Sequence, residues 1–226
     1  DVVTAGLDTV AVRVPAHPVA HALLVAAALP IAAPSANRFT QLSPTTAAHV
    51  ERALGEGVDL ILDGGPTSVG IESTVLDLSG ARPVLLRPGS IALEELERIV
   101  GPLERPMAAG AAEAPRPSPG MLDRHYAPRA ELRVFDQASR NEAIERAQRA
   151  AAEGRTVGAL LLAPLDAPIA HPVAMPHDPT GYAAALYATL HELDALGCDL
   201  VLVEAVPAGG AWAGVRDRLQ RAAHAE

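Results

Sequence analysis

Pro30-Ile31-Ala32-Ala33-Pro34-Ser35-Ala36-Asn37-Arg38-Phe39-Thr40-Gln41-Leu42-Ser43-Pro44-Thr45-Thr46 reads as a passage from strand to helix. Ile31 to Ala33 forms a short apolar strand, and a small-residue turn bearing Ser35 and Asn37 follows it. The chain then crosses a polar loop and restarts at Ser43-Pro44-Thr45. The spacing predicts a helix over Thr45 to Leu54, capped by Ser43, with Pro44 in the first turn where its missing N–H costs nothing. Hydroxyls, an amide and a helix N-terminus gathered in one loop suit an anion such as a phosphate. Each residue also has an ordinary reading: Ser and Asn are common turn formers, and Ser is a common helix cap.

Working outward, Thr9 to Val14 alternates and is rich in Val, so it reads as a strand ended by Pro15. His17 to Leu29 has Ala and Leu at helical spacing, and Pro30 stops it. Val58 to Leu62 reads as a buried strand closed by Asp63-Gly64-Gly65-Pro66. Ser73 to Leu78 and Pro83 to Arg87 read as strands joined by a turn at Ser79-Gly80, and Ile91 to Val100 as an amphipathic helix. From Pro102 to Pro128 the chain is rich in Pro, Ala and Gly, the composition of an extended linker.

Beyond the linker, strands are predicted at Leu132 to Phe135, Val157 to Leu162 and Leu200 to Val203. Helices are predicted at Asn141 to Ala152, from Pro179 to about Leu196 with Asp178 as its cap, and at Trp212 to Ala223. Alternating strands and helices without repeats make this an α/β protein whose second unit is a small open sheet with helices on its faces. No Gly-x-Gly-x-x-Gly occurs, so a Rossmann-like arrangement here does not imply dinucleotide binding.

The 226 residues are 49% hydrophobic and 20% charged, a composition that folds. Aromatics are only 3%, so the cores must be built from Ala, Val, Leu and Ile. A net charge of −9 argues against stable direct nucleic-acid binding through a general basic surface, while leaving room for a local basic cleft. Cys198 stands alone, so no intrachain disulfide can form, and a reducing compartment fits. No apolar run reaches membrane-span length and no signal peptide is visible, which makes the cytoplasm the default location.

The chain contains no lysine, and all 18 basic residues are Arg, so a catalytic Lys within it is excluded. Nucleophile-elbow and Walker patterns are absent. His17 and His21 lie four apart on one helix, but no Glu follows His17 and the metalloprotease signature fails. Gly64, Gly65 and Gly70 surround Thr67-Ser68, which suits either a close backbone approach to a ligand or a flexible connection. Arg87 ends a strand before Pro88-Gly89, where a guanidinium can clamp a phosphate or carboxylate or simply face water. Arg13, flanked by Val12 and Val14, calls for a buried partner or an anionic ligand.

The ordered elements Thr9-Val-Ala-Val-Arg13-Val-Pro-Ala-His-Pro18, Ala33-Pro-Ser-Ala-Asn37, Ser43-Pro-Thr-Thr46, Asp63-Gly-Gly65, Glu72-Ser-Thr-Val-Leu-Asp77 and Leu86-Arg-Pro-Gly89 resemble threonylcarbamoyl-AMP synthase. The Ser118-Pro-Gly-Met121 and His125-Tyr-Ala-Pro128 linker, the second α/β unit and the ending Asp217-Arg-Leu-Gln-Arg-Ala-Ala223 are similar to the long, two-domain form of that family. The resemblance covers essentially the whole chain. It implies the C-terminal portion of a YrdC-like twisted-sheet α/β catalytic domain over 1–104, a linker and lid over 105–130, and a small Rossmann-like domain over 131–226.

The implied activity joins L-threonine, bicarbonate and ATP into threonylcarbamoyl-AMP with release of pyrophosphate, usually with Mg²⁺. A separate tRNA threonylcarbamoyl transferase complex then modifies adenosine 37. By resemblance, Thr9, Ser35, Ser43, Arg87 and Tyr126 contact ATP, while Arg13, Ser73 and the backbone of Ala33 hold threonine. Asn37 and Arg87 take the catalytic positions, and His125-Tyr126 folds back as a lid that excludes water. The family's domain starts well upstream of Thr9 and carries a Lys-x-Arg element, which this lysine-free chain lacks. The expectation is therefore that Asp1 marks a cut through the catalytic domain and that the chain alone is inactive. Alternatives are an RNA-binding module, disfavoured by charge and few aromatics, and a carbamoyl-transfer maturation enzyme, disfavoured by the single cysteine. A regulatory ATP-binding fragment is a third.

Overall fold

The computed structural model describes residues 4, 6–105 and 126–223. Most of the predicted linker and lid, including His125, lies outside the described residues. The first part carries helices α1 (Pro18–Ala27) and α2 (Ala47–Leu54), strands β1 (Val75–Asp77) and β2 (Val84–Arg87), and helix α3 (Leu93–Val100). The second carries β3 (Glu131–Phe135), α4 (Arg140–Ala152), β4 (Val157–Leu161), β5 (His171–Ala174), α5 (Pro179–Ala195), β6 (Leu200–Glu204) and α6 (Ala213–Ala222).

The second part is a four-stranded parallel sheet in the order β3-β6-β4-β5. Every residue of β4 and the first four of β6 are buried, which is why both read as unbroken apolar runs. On one face, Ala143, Ala147 and Ala150 of α4 meet Val157, Ala159, Leu200 and Leu202; the small alanines let helix and sheet approach closely. On the other, Leu186, Leu190 and Leu193 of α5 and Val215 and Leu219 of α6 meet Leu132, Leu160, Val201 and Val203. Asp178 caps α5 by accepting from the Gly181 N–H at 2.8 Å. β5 is absent from the sequence expectation. Its Pro172 breaks the strand pattern, and the fold tolerates it because β5 sits at the sheet edge.

In the first part the hairpin falls where expected, with β1 antiparallel to β2. The Asp77 carboxylate accepts from the Ser79 N–H and hydroxyl to close the turn, which holds that carboxyl below its ordinary range. Three expectations need correction. Thr9 to Val14, Ile31 to Ala33 and Val58 to Leu62 belong to no strand among the described residues. Alternation gives a segment two faces, but a strand also needs a neighbour to complete its ladder. Val12 is 90% exposed instead of packed.

Helix α2 also begins later than predicted. Its cap is Thr46, whose hydroxyl accepts from the His49 N–H at 3.2 Å. Ser43 is 7% exposed and directs its hydroxyl elsewhere, to Glu72.

The two parts share one core on the α5/α6 side of the sheet, where Leu42, Ile71 and Tyr126 join the cluster of Leu186, Tyr187 and Leu190. Contact is backbone-close. A Cβ on Gly70 would stand 2.2 Å from the Ala183 carbonyl oxygen, and one on Gly214 would stand 2.2 Å from that of Gly89. Beside them the rings of His49 and His191 stack with centroids 3.9 Å apart. His49 Nδ1 accepts from the Thr45 N–H at 3.2 Å, and His191 Nε2 donates to the Ser43 carbonyl at 3.0 Å. Burial, with His191 and Arg52 nearby, pushes His49 down to about 4, and burial lowers His191 too.

Gly214→Ala should raise helix propensity by up to about 1 kcal/mol. Its methyl must nevertheless displace the Gly89 carbonyl, so a net loss of roughly 1–3 kcal/mol is expected in urea unfolding. A neutral stack gives a second expectation. His49 is held neutral in the fold but titrates near 6.5 when unfolded, so its contribution is full above pH 6.5 and lost as pH falls toward 4. Thermal midpoints of the wild type should therefore drop across that window more steeply than those of His49→Gln.

Candidate functional site

The segment after Gly70, Ile71-Glu72-Ser73-Thr74, enters β1, and Leu86-Arg87-Pro88-Gly89 leaves β2 beside it. Antiparallel pairing therefore brings Ser73 and Arg87 together at one end of the hairpin, where Arg87 Nε donates to the Ser73 carbonyl at 3.0 Å. From the far N-terminal side, Arg13 Nη1 donates to Ser73 Oγ at 3.0 Å. Two guanidinium groups thus meet on one serine, one at its hydroxyl and one at its carbonyl. Such a pair of forked donors beside a hydroxyl can receive a carboxylate. Gly89 is required at this corner because a Cβ there would stand 2.3 Å from Thr74 N.

Below Ser73 lies a polar cluster that sequence reasoning missed. Glu72 accepts from Ser43 Oγ at 2.5 Å, from Arg218 Nε at 2.6 Å and from Tyr187 Oη at 3.2 Å. Burial pushes its carboxyl up, but the Arg218 charge and the Ser43 hydroxyl outweigh that and hold it below the ordinary range. Arg218 is fully buried, and Asp217 also pairs with it at 2.6 Å. A signal for it existed: Val215, Arg218, Leu219 and Ala222 share one helical face, and an arginine on an apolar face needs an acceptor beneath it.

Tyr126 is 1% exposed, with its backbone in the left-handed region at φ 62°. Its ring lies beneath the Arg218 guanidinium at 5.4 Å and 5.9 Å from the ring of Tyr187, and its hydroxyl takes a hydrogen bond from Arg87. Burial raises its phenol above the ordinary value. The following Ala127 N–H donates to the Thr40 carbonyl at 3.0 Å, tying the end of the linker to the Asn37 loop. Asn37 Nδ2 donates to the Gln41 carbonyl at 2.7 Å within that loop.

Of the sequence-derived residues, Arg13, Ser43, Ser73, Arg87 and Tyr126 form one connected cluster. Asn37 adjoins it through its loop. Thr9, Ala33 and Ser35 are exposed, and among the described residues no hydrogen bond joins them to it. The Gly64-Gly65 segment forms a turn closed by Asp63, with the His17 ring against Gly64. Among the described residues no group of three His, Cys, Asp or Glu side chains could hold a metal, and no helix is long and apolar enough to cross a membrane.

A family profile described as "Threonylcarbamoyl-AMP synthase, C-terminal domain" matches residues 91–224, and one described as "Telomere recombination" matches residues 1–89. Threonylcarbamoyl-AMP synthase of Pyrococcus abyssi is 39% identical over 233 residues, covering 98% of this chain and 66% of that protein. The Bacillus subtilis enzyme of the same name is 39% identical over 229 residues, covering 98% and 65%. The crystal structure of P. abyssi Sua5 complexed with L-threonine superposes with a TM-score of 0.86 at 38% identity, over 98% of this chain and 66% of that one. The chain thus spans just under two thirds of the length of the curated relatives it matches. A profile over more than half the sequence, and two relatives that align along nearly all of it, put this chain in the threonylcarbamoyl-AMP synthase family.

Proposed function

We propose that this chain serves the synthesis of threonylcarbamoyl-AMP from L-threonine, bicarbonate and ATP, with the product passed to a tRNA-modifying transferase. The meeting of Arg13 and Arg87 on Ser73 carries the reading. Arg13 takes the threonine carboxylate, displacing its bond to the Ser73 hydroxyl, which then turns to the amino acid. The Ala33 carbonyl supplies a further contact. The L-threonine complex of a relative 38% identical supports placing that substrate on these residues.

In this reading residues 1–104 are part of a YrdC-like catalytic domain, 105–130 the linker and 131–226 a Rossmann-like domain. Thr9 and Ser35, both exposed, contact the nucleotide. Ser43 and Tyr126 border the ATP site and fix its floor, since one holds Glu72 and the other receives Arg87.

The chemistry is largely positioning. Threonine's amine adds to CO₂ derived from bicarbonate and loses a proton. The carbamate oxygen then attacks the α-phosphorus, and pyrophosphate leaves. Arg87 neutralises charge that builds on the phosphate, and Asn37 orients an oxygen of it. Mg²⁺, when bound, neutralises the phosphates of ATP. A donor set without an acidic cluster among the described residues fits a cation held chiefly by those phosphates. No step calls for a covalent enzyme intermediate.

Calorimetric titration tests the reading. L-Threonine should bind the wild type, and Arg13→Gln or Ser73→Ala should each weaken it tenfold or more. Equal affinity in Arg13→Gln, or no binding of threonine by the wild type, overturns the assignment.

A further inference from the structure

Among the described residues the deepest charge, Arg218, lies in α6, far along the chain from the residues proposed to hold substrate. Arg218 spends its donors on both sides of the hairpin end. Nε reaches Glu72 Oε2 at 2.6 Å and Nη2 reaches the Glu72 carbonyl at 3.1 Å. Nη1 reaches the Pro88 carbonyl at 3.0 Å and Asp217 Oδ2 at 2.6 Å. Glu72 immediately precedes Ser73, and Pro88 immediately follows Arg87. Because Arg87 Nε in turn bonds the Ser73 carbonyl, a closed ring results: Arg218 to Glu72, along the chain to Ser73, across to Arg87, along the chain to Pro88, and back to Arg218.

We infer that Arg218 is a positioning residue for the Ser73–Arg87 pair, so that the C-terminal domain sets the geometry of the amino-acid pocket in the N-terminal one. The substrate named here rests on the function proposed above; the clamp itself does not. Ser73 and Arg87 approach each other at the open end of a short hairpin, where β1 has three residues, β2 has four, and the register shifts between Val75 and Leu76. A two-stranded ribbon of that size is marginal alone. The planar fork of Arg218, held from below by Asp217 and stacked on Tyr126, fixes the spacing of the two carbonyls it joins. An ammonium could neutralise Glu72 but could not span Glu72 and Pro88 with the same rigid geometry. That difference separates positioning from mere burial of a countercharge.

The discriminating variant is Arg218→Lys in the full 226-residue chain, with His191→Gln as a control that perturbs the same interface at the Ser43 carbonyl, without direct contact to Arg218, Glu72 or Pro88. Arg218→Lys should fold and retain its countercharge, yet bind L-threonine at least tenfold more weakly, with His191→Gln within twofold of wild type. Amide exchange at Ser73, Thr74 and Gly89 should run at least tenfold faster in Arg218→Lys, with β4 and β6 amides unchanged. Wild-type threonine affinity in Arg218→Lys overturns the inference, as does an equal loss in His191→Gln. Should wild type bind no threonine, the functional reading falls by itself. The exchange rates then decide the clamp: faster exchange confined to Ser73, Thr74 and Gly89 sustains it, and unchanged exchange overturns it. Where Arg218→Lys does not fold, Glu72→Ala removes the Nε contact from the other side while Asp217 keeps Arg218 paired, and it is judged by the same exchange rates.

Discussion

The structure turns on a desolvated ion pair, Glu72 with Arg218, joined across two parts of the chain that also touch backbone-close at Gly70 and Gly214, through Leu42 and Ile71, and through the His49–His191 stack. Taking both charges out of water is expensive, and their attraction repays that only when the remaining donors and lone pairs are filled. Here they are. Ser43 and Tyr187 complete the carboxylate, while two carbonyls, Asp217 and the Tyr126 ring complete the guanidinium. A network satisfied on every side contributes less to raw stability than to uniqueness, because shifting any member strands a buried charge. The glycines reinforce this by admitting one approach distance between the parts.

That arrangement also explains how a chain with so few aromatic residues forms a definite junction. Its three tyrosines and one tryptophan are not spread through the core. Tyr126 and Tyr187 line the buried pair, while Tyr182 meets Trp212 edge-on at 5.7 Å beneath the same helices. Elsewhere, Phe135 apart, the packing is aliphatic and fine-grained. Alanines carry α4 against the sheet, where larger residues would hold the layers apart.

Where each prediction comes from a local cause, the sequence carries it well. Asp178-Pro179 starts α5, α1 ends at Ala27 with Ala28 in the left-handed region just short of Pro30, and Ser79-Gly80 turns the hairpin, all through short-range sterics and hydrogen bonds. Buried parallel strands announce themselves by two-sided apolarity, as β4 and β6 do. Thr9 to Val14 shows the opposite case, since alternation cannot say whether a neighbouring strand is there to pair with. Ser43 shows another: a residue with the right chemistry for a cap is drawn off by Glu72, a partner 29 positions away that no local pattern names. At the candidate site, Arg13 was legible because a charge in an apolar run looks odd where it stands, Arg87 as a guanidinium at a strand end, and Ser73 through the family resemblance. Glu72 was not, since its role depends on Arg218, which approaches it from α6 at the other end of the chain.

The order β3-β6-β4-β5 places the last strand of the sequence at the second position of the sheet, paired on both sides with strands made much earlier. Until residues 200–204 arrive, β3 and β4 have no common neighbour, and each leaves a ladder edge unpaired. Closure is then a single long-range event that pays its loop entropy before any contact rewards it, the hallmark of a slow, all-or-none folding step. Helix α6 follows immediately, so the arginine that braces the hairpin is delivered only after that step. A ribosome must pass α6 before the Ser73–Arg87 pair can take its final geometry.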